Sequence, residues 1–400
     1  LGYVRVAVLA DGFGIGPELD AFYAAFRLPE LVYQLVAAGA LPSGLVPVLA
    51  GLVATEQDER ARRVVSAIGT TVTVAVAAFT VVVWLAAPLI VPWVTPGFDA
   101  TLLTETVDLT RVMLAGPVFL AFGSVATSWL NARDRFGAGA LTPMAYNVGI
   151  IGGVILLAPS MGIEGAAWGV VAGSILYALV AWASAIHRRL IPARTLERDP
   201  EAGRALRMML PRMLGLGATQ LALTAMTALA SGLPAGSVAA FATAQILLQL
   251  PLGLFGVPLG IVMLPSMARE VALGNVGEYR RMLTAGLRAL LVVMVGIAAV
   301  GIAIAVPMVE VLFPSTMAEG SAATVAEALR LLLVGLPAHA LIAVLARACY
   351  ARSDTRMPVI RAIVAVAIDI VLGVILSGPF GLAGLGAAIA VGAWTEAAGL

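Results

Sequence analysis

The chain has 400 residues, of which 61% are hydrophobic and 12% are charged, with a mean hydropathy of +1.01 and a formal net charge of +1. This charged fraction is far below the roughly 25% of soluble domains, which excludes an ordinary soluble protein. A nucleic-acid-binding protein is excluded too, because it would concentrate basic residues on a soluble face. The composition predicts an integral membrane protein.

Apolar runs of about 18 residues or more are long enough to cross a bilayer as helices. They predict twelve membrane segments, at 1–14, 27–54, 65–93, 107–130, 137–158, 164–186, 208–231, 238–265, 283–306, 325–349, 358–377 and 383–400. The fold class is therefore expected to be an all-α polytopic membrane protein. Because the first and last segments reach the chain ends and residue 1 is leucine, we expect a fragment truncated at both ends.

The stretch from residue 20 to residue 47 is apolar, yet it carries Asp20, Arg27, Glu30 and Gln34 and is interrupted by proline and glycine. A charged group at the centre of a bilayer costs roughly 2.5–3.5 kcal/mol on insertion scales. A lipid-facing helix would not keep these side chains. The pattern predicts a helix that lines a polar cavity.

Arginines occur in alternate loops, which indicates the orientation of the chain. Basic residues that flank membrane segments stay on the cytoplasmic side. The loops between the basic ones, at 95–105, 158–165, 231–237, 313–324 and 377–384, contain no arginine, and the chain has no lysine. This alternation predicts a cytoplasmic N-terminus.

The sequence repeats itself at an offset of 219 residues, as in Arg111 and Arg330 or Gly162 and Gly381. Two copies of a six-helix unit enter the membrane in the same direction, because six is even. This predicts two parallel repeats around a central cavity, with the substrate site between them. The predicted domains are an N-terminal lobe at 1–190, a cytoplasmic linker at 191–207 and a C-terminal lobe at 208–400.

The two copies differ in their polar residues. The positions 219 residues beyond Arg5, Asp20, Arg27 and Glu30 are the uncharged Thr224, Ala239, Ile246 and Gln249. The second lobe instead offers Gln220, Thr224, Gln245 and Gln249 as hydrogen-bonding side chains. The sequence thus predicts that the first lobe supplies most of the ionic groups.

Several stretches, in order along nearly the whole chain, resemble the MviN/MurJ family of lipid II flippases, within the multidrug/oligosaccharidyl-lipid/polysaccharide exporter superfamily. They are LGYVR (1–5), LDAFYAAFRLPEL (19–31), the region 38–50, TPGF (95–98), LNARDRFGAGALTPMAYN (130–147), the region 255–268 and RACYARSDTRMPV (347–359). The resemblance implies a MATE-like fold of fourteen helices, of which the last two are absent here.

The resemblance also implies a function. The expected activity is translocation of an undecaprenyl-diphosphate-linked peptidoglycan precursor from the cytoplasmic to the external leaflet of the bacterial inner membrane by alternating access. Arginines suit the diphosphate because their planar donors bind phosphate oxygens in pairs. Arg5 matches the family's first-helix arginine, whereas Tyr33, Gln34 and Ile246 stand where the family has further arginines.

The substrate-binding candidates are Arg5, Asp20, Arg27, Glu30, Gln34, Gln245 and Gln249. For each there is a structural alternative. Arg5 could extend to the membrane surface, and Asp20 could cap the second helix. Arg27 and Glu30 could form a local ion pair, and the glutamines could be helix–helix contacts.

The sequence shows no metal-ligand cluster and no arrangement typical of a catalytic site, so neither an enzyme nor a cofactor is expected. A coupling ion, Na⁺ or H⁺, is the partner expected besides the lipid-linked glycan, and His339 is the residue that could titrate. Proteins of cell-wall synthesis are further candidate partners. Two rival functions stay open: export of another lipid-linked glycan or amphiphile by ion-coupled antiport, and a transport-inactive scaffold in cell-wall assembly.

Overall fold

The structure, a computed structural model, describes residues 1–35, 41–135, 137–190, 192, 200–313, 321–352, 354 and 356–400. Within these ranges the chain forms α-helices and no β-strand. The expected all-α fold class is confirmed. Residue contacts divide the chain into two compact units.

The first unit comprises Leu1–Phe13, Ala21–Val94 and Phe98–Leu221. Its helices are α1 (Gly2–Phe13), α2 (Pro17–Tyr33), α3 (Leu41–Ala54), α4 (Asp58–Val94), α5 (Ala100–Met113), α6 (Gly116–Asn131), α7 (Gly137–Gly152), α8 (Ala158–Met161), α9 (Ile163–His187) and the first part of α10 (Pro200–Ser231). A π-helical turn, Gly153–Leu157, joins α7 to α8. The core of this unit packs around Trp129 and Ile68, both fully buried.

The second unit comprises Gly14–Asp20, Thr95–Gly97 and Ala222–Leu400. Besides the end of α10, its helices are α11 (Ser237–Pro251), α12 (Val257–Ala272), α13 (Val276–Ala303), α14 (Ala305–Leu312), α15 (Ser321–Ala351) and α16 (Arg356–Gly399). The central helix of this unit is α15, which packs against α11, α12, α13, α14 and α16. The predicted linker 191–207 lies largely outside the described residues, so the predicted lobe boundaries stay a prediction.

Eight helical stretches among the described residues are long and apolar enough to cross a membrane. One of them, α16, bends at Gly381 and contains both predicted segments eleven and twelve. The remaining three of the twelve predicted segments correspond to α1, to the pair α2 and α3, and to α10. The outward faces of these stretches are apolar, as Trp93 at 84% exposure and Val292 at 74% illustrate, which suits contact with lipid.

One predicted loop is wrong in part. A loop is expected at 95–105, but α5 begins at Ala100. The cause is Asp99, whose Oδ1 accepts the N–H of Leu102 at 2.9 Å and so caps the helix. An N-cap aspartate of this kind satisfies one of the free N–H groups in the first turn of a helix.

The backbone agrees with the predicted repeat at one pair of glycines. Gly162 has φ 59° and ψ −143°, and Gly381, 219 residues later, has φ 55° and ψ −134°. In each unit this glycine stands immediately before the sixth membrane segment. Only glycine adopts this region at little cost, because the Cβ atom of any other residue is strained there.

Helices α7 and α9 approach so closely that their glycines touch. A Cβ atom added to Gly149 would meet the backbone of Gly173, and one added to Gly153 would meet the backbone of Gly169. In a bilayer, helices gain little from hydrophobic association, so interfaces of small residues that allow backbone contact hold them together. This glycine seam fixes α7 against α9 and thereby positions the side chains on α7.

Substituting alanine for Gly149 should destabilise the protein by about 1–3 kcal/mol, because the added methyl group would force the two backbones apart. Gly152 is the matched control, since nothing lies within 4 Å of a Cβ atom built there. Gly152→Ala should be neutral or stabilising by up to about 1 kcal/mol. Thermal unfolding of the purified variants in detergent measures both effects, and equal melting of the two variants would contradict the seam.

Candidate functional site

Polar side chains of α1 and α2 in the first unit interact electrostatically with Tyr146. Tyr146 lies on α7 and interacts electrostatically with Arg5 on α1 and with Glu30 and Tyr33 on α2. All four side chains are partly buried. We call these residues, together with Arg27 and Gln34, the Tyr146 cluster.

Along α2, the polar residues of this cluster lie on one helical face. The Nε2 group of Gln34 donates a hydrogen bond to Oε1 of Glu30 at 2.6 Å. Arg27 interacts electrostatically with Glu30 and with Tyr23. Spacings of three and four residues place such side chains next to one another on a helix. Glu30 therefore has a cation three residues before it and an amide donor four residues after it.

A second tyrosine extends the cluster toward α9. Tyr33 interacts electrostatically with Tyr177, which is only 7% exposed. The hydroxyl of Tyr177 lies 3.3 Å from the hydroxyl of Ser124 on α6. The edge of the Tyr177 ring packs where Gly123 has no side chain. This contact with α6 fixes the Tyr177 ring beside the cluster.

Asp20, in contrast, belongs to the second unit. Its carboxylate is 3% exposed and accepts the N–H of Gly236 at 2.6 Å and the N–H of Ala239 at 2.7 Å. Helix α11 begins at Ser237 after Gly236, which has φ 90° and no side chain that could cap the helix. Asp20 thus caps α11, and not its own helix α2 as one alternative had it. The negative charge also suits the positive end of the α11 dipole.

Gln245 and Gln249 lie one turn apart on α11 in the second unit. Gln245 is partly buried and Gln249 is exposed. Within the described part of the chain, neither amide group makes a side-chain hydrogen bond. Both remain able to donate to and accept from a ligand. Their role in substrate binding stays a prediction.

Other ionisable groups of the second unit are placed in its helices α15 and α16. Nε2 of His339 and Oδ1 of Asp369 are buried, and neither has a hydrogen-bond partner among the described residues. Asp369 packs against Gly392 and interacts electrostatically with Glu396. Nη1 of Arg347 donates to the carbonyl oxygen of Ala343, one turn earlier in α15.

The chemistry of the Tyr146 cluster is that of an anion site. Arg5 and Arg27 carry two positive charges against the single negative charge of Glu30. A guanidinium offers five N–H donors, and the phenols and the amide of Gln34 add neutral donors. In the described ranges, no group of three or more His, Cys, Asp or Glu residues could hold a metal ion. The cluster thus combines an excess of one positive charge with several hydrogen-bond donors, which suits an anionic group.

Sequence reasoning missed Tyr146 and Tyr177 as members of this cluster. A tyrosine within an apolar helix carries no local signal that distinguishes a site residue from a core residue. The glycines opposite them, Gly173 and Gly123, were the usable hint, because they allow an aromatic ring to lie close to a neighbouring helix. The Arg5, Arg27, Glu30 and Gln34 candidates are brought together in the first unit.

Comparison with known proteins gives consistent matches. The family model described as Lipid II flippase MurJ matches residues 9–400. The chain is 30% identical to a probable lipid II flippase MurJ of Rhizobium tropici, over 99% of this chain and 76% of the relative. It is 31% identical to a lipid II flippase MurJ of Burkholderia cenocepacia, over 98% of this chain and 78% of the relative.

Two solved structures share the fold. One is a lipid II flippase MurJ in an inward closed conformation, with a TM-score of 0.85 and 22% identity over 100% of this chain and 83% of that one. The other is an inward-facing multidrug resistance MATE family transporter of the MOP superfamily, with a TM-score of 0.85 and 18% identity over 99% of this chain and 91% of that one. The expected MATE-like architecture is confirmed.

Replacing Asp20 with alanine should lower the melting temperature of the protein, because the N–H groups of Gly236 and Ala239 would lose their acceptor. An unsatisfied buried donor costs about 1–3 kcal/mol. Asp20→Asn keeps one acceptor oxygen and should lower the melting temperature less than Asp20→Ala does. The control is Glu18→Ala, an exposed carboxylate in the same helical turn. Thermal unfolding in detergent ranks the three variants, and wild-type melting of Asp20→Ala would contradict the cap.

Proposed function

Because the chain belongs to the MurJ family of lipid II flippases, we propose that it moves lipid II from the cytoplasmic to the external leaflet of a bacterial inner membrane by alternating access. The observation that supports this function best is the Tyr146 cluster. It concentrates two arginines, one carboxylate and several neutral donors in the first unit of an otherwise apolar protein. A polyprenyl-diphosphate headgroup is an anion that such donors can bind.

Arg5 is the central contact in this proposal. It lies on α1 beside Tyr146, partly buried, and its guanidinium can bind phosphate oxygens in pairs. Arg27 differs, because Glu30 partly offsets its charge. We assign diphosphate binding first to Arg5, and the positioning of α2 to the group formed by Arg27, Glu30 and Gln34.

The neutral donors make this site weaker than one lined by arginines. Tyr33 and Gln34 stand where the family resemblance places a pair of arginines. A hydrogen bond to a charged partner is worth about 1.5–3 kcal/mol, whereas a neutral one is worth about 0.5–1.5 kcal/mol. We therefore expect lower affinity for the headgroup, with faster release. The phenol of Tyr146 contributes one of these neutral bonds.

Finer features of the transport cycle belong to the same proposal. Gln245 and Gln249 would bind the sugar or peptide of the headgroup from the second unit. A coupling cation, Na⁺ or H⁺, would act through the ionisable groups of α15 and α16, with His339 as the candidate for protons. We propose a cytoplasmic N-terminus, which the alternation of arginine-containing loops supports. Proteins of cell-wall synthesis are proposed as partners.

The test is rescue of flippase-depleted cells by the full-length protein, combined with transport of lipid II in proteoliposomes. Arg5→Ala should reduce transport about 10- to 150-fold, the loss of one charged hydrogen-bonding contact. Arg5→Lys keeps the positive charge but lacks the paired N–H donors. Its transport rate should lie between those of the alanine variant and wild type. Arg280→Ala, at an exposed position near the start of α13, is the matched control and should transport normally.

Tyr146→Phe should reduce transport roughly 2- to 10-fold, because only a neutral donor is lost. Its fold should survive, since the ring remains in place. Normal transport by both Arg5→Ala and Tyr146→Phe would remove the Tyr146 cluster from the mechanism. Failure of the expressed wild-type protein to transport lipid II would favour the rival functions, an exporter of another amphiphile or an inactive scaffold.

A further inference from the structure

A basic pocket lies at the arginine-rich end of the first unit, away from the Tyr146 cluster. It forms where α6 ends, α7 begins and α9 ends, and its volume is about 380 Å³. Its polar lining consists mainly of Asp134, Arg135, His187 and Arg188. None of these residues has a part in the proposed transport step.

The charges in this pocket are unbalanced. Arg135 and Arg188 are exposed, and neither side chain has an ion pair or hydrogen bond among the residues that the structure describes. The neighbouring Arg133, by comparison, pairs with Asp58. Two guanidinium groups therefore face one pocket that contains a single carboxylate, that of Asp134. The pocket favours an anionic ligand.

The backbone adds to this preference. Helix α7 begins at Gly137, which lines the pocket, and the first N–H groups of a helix have no partner within it. The positive end of the helix dipole favours an anion at this position. The turn that brings α7 here contains Asp134 with φ 58°, so the chain reverses direction directly after α6. The N-terminal N–H groups of α7 and the two arginines thus favour an anion in the same pocket.

The pocket also has an apolar edge, which identifies the kind of anion. Leu141 on α7 lines it and is 54% exposed, and Ile186 on α9, beside His187, is 57% exposed. Both residues lie at the ends of helices that are apolar enough to cross a membrane. A small soluble anion would leave these side chains uncovered. A ligand with a phosphate and an attached hydrocarbon chain would contact both the arginines and the apolar edge of the pocket.

We propose that this pocket binds the phosphate of an anionic phospholipid, with Arg135 and Arg188 on the phosphate and an acyl chain along Leu141. Basic pockets between membrane helices on the side of the basic loops suit such headgroups. The bound lipid would hold the α6–α7 turn against the end of α9. This site is separate from the one for the transported lipid, and it does not depend on the proposed function.

The test uses the full-length protein in detergent, titrated with dioleoyl phosphatidylglycerol, dioleoyl phosphatidylcholine or inorganic phosphate, with bound lipid counted by native mass spectrometry. Wild type should retain phosphatidylglycerol in preference to phosphatidylcholine. Each arginine near an anionic lipid is worth roughly a fivefold change in affinity, so Arg135→Gln with Arg188→Gln should weaken binding about 30-fold. Arg189→Gln, an exposed neighbour outside the pocket, is the matched control and should bind as wild type.

Equal retention by wild type and the double variant would overturn the proposal. So would equal binding of the two phospholipids, or displacement of phosphatidylglycerol by millimolar inorganic phosphate, which would indicate a site for soluble anions. Size-exclusion chromatography and thermal unfolding without added lipid establish that the variants are folded. If the double variant does not fold, the single variants carry the test, each with a fivefold loss expected.

Discussion

The structure depends on one constraint: an ionisable group at bilayer depth needs a polar partner inside the protein, because lipid offers none. Glu30 shows how the first unit meets this constraint. Arg27, three residues earlier, interacts with its charge, and Gln34, four residues later, donates a hydrogen bond to it. The polar face of α2 must then turn toward α1 and α7, and this orientation brings Arg5 and Tyr146 to the same place.

Much of the fold follows from the sequence, because membrane segments are long and apolar and repeats preserve their spacing. The conformations of Gly162 and Gly381 agree closely, and the offset between them is readable without coordinates. The predicted loop at 95–105 is too long at its end, because Asp99 caps α5 and residues 100–105 are helical. Polar residues of α2 were recognised as a group, since a charged residue in an apolar run is a strong signal.

The rest of the site depends on contacts between distant parts of the chain, which local patterns do not encode. Gly123 on α6 leaves room for the ring of Tyr177, and Gly173 on α9 leaves room for the backbone and ring edge of Tyr146. The cap of α11 is still harder to predict from the sequence. Rules for helix caps examine the residues directly before a helix, and there the chain has Gly236, with no side chain. The acceptor is Asp20, more than two hundred residues earlier.

This cap also gives a physical reason for a difference between the two repeats at one position. Ala239 is the residue 219 positions beyond Asp20, and its N–H is one of the two that Asp20 accepts. An aspartate at both positions would place two carboxylates close together in a buried region. Two like charges about 4 Å apart repel each other by roughly 4 kcal/mol at an effective dielectric constant of about 20. A carboxylate in one copy and alanine in the other avoids that repulsion and leaves the backbone N–H free to donate. Asymmetry between the copies at this position therefore favours this contact.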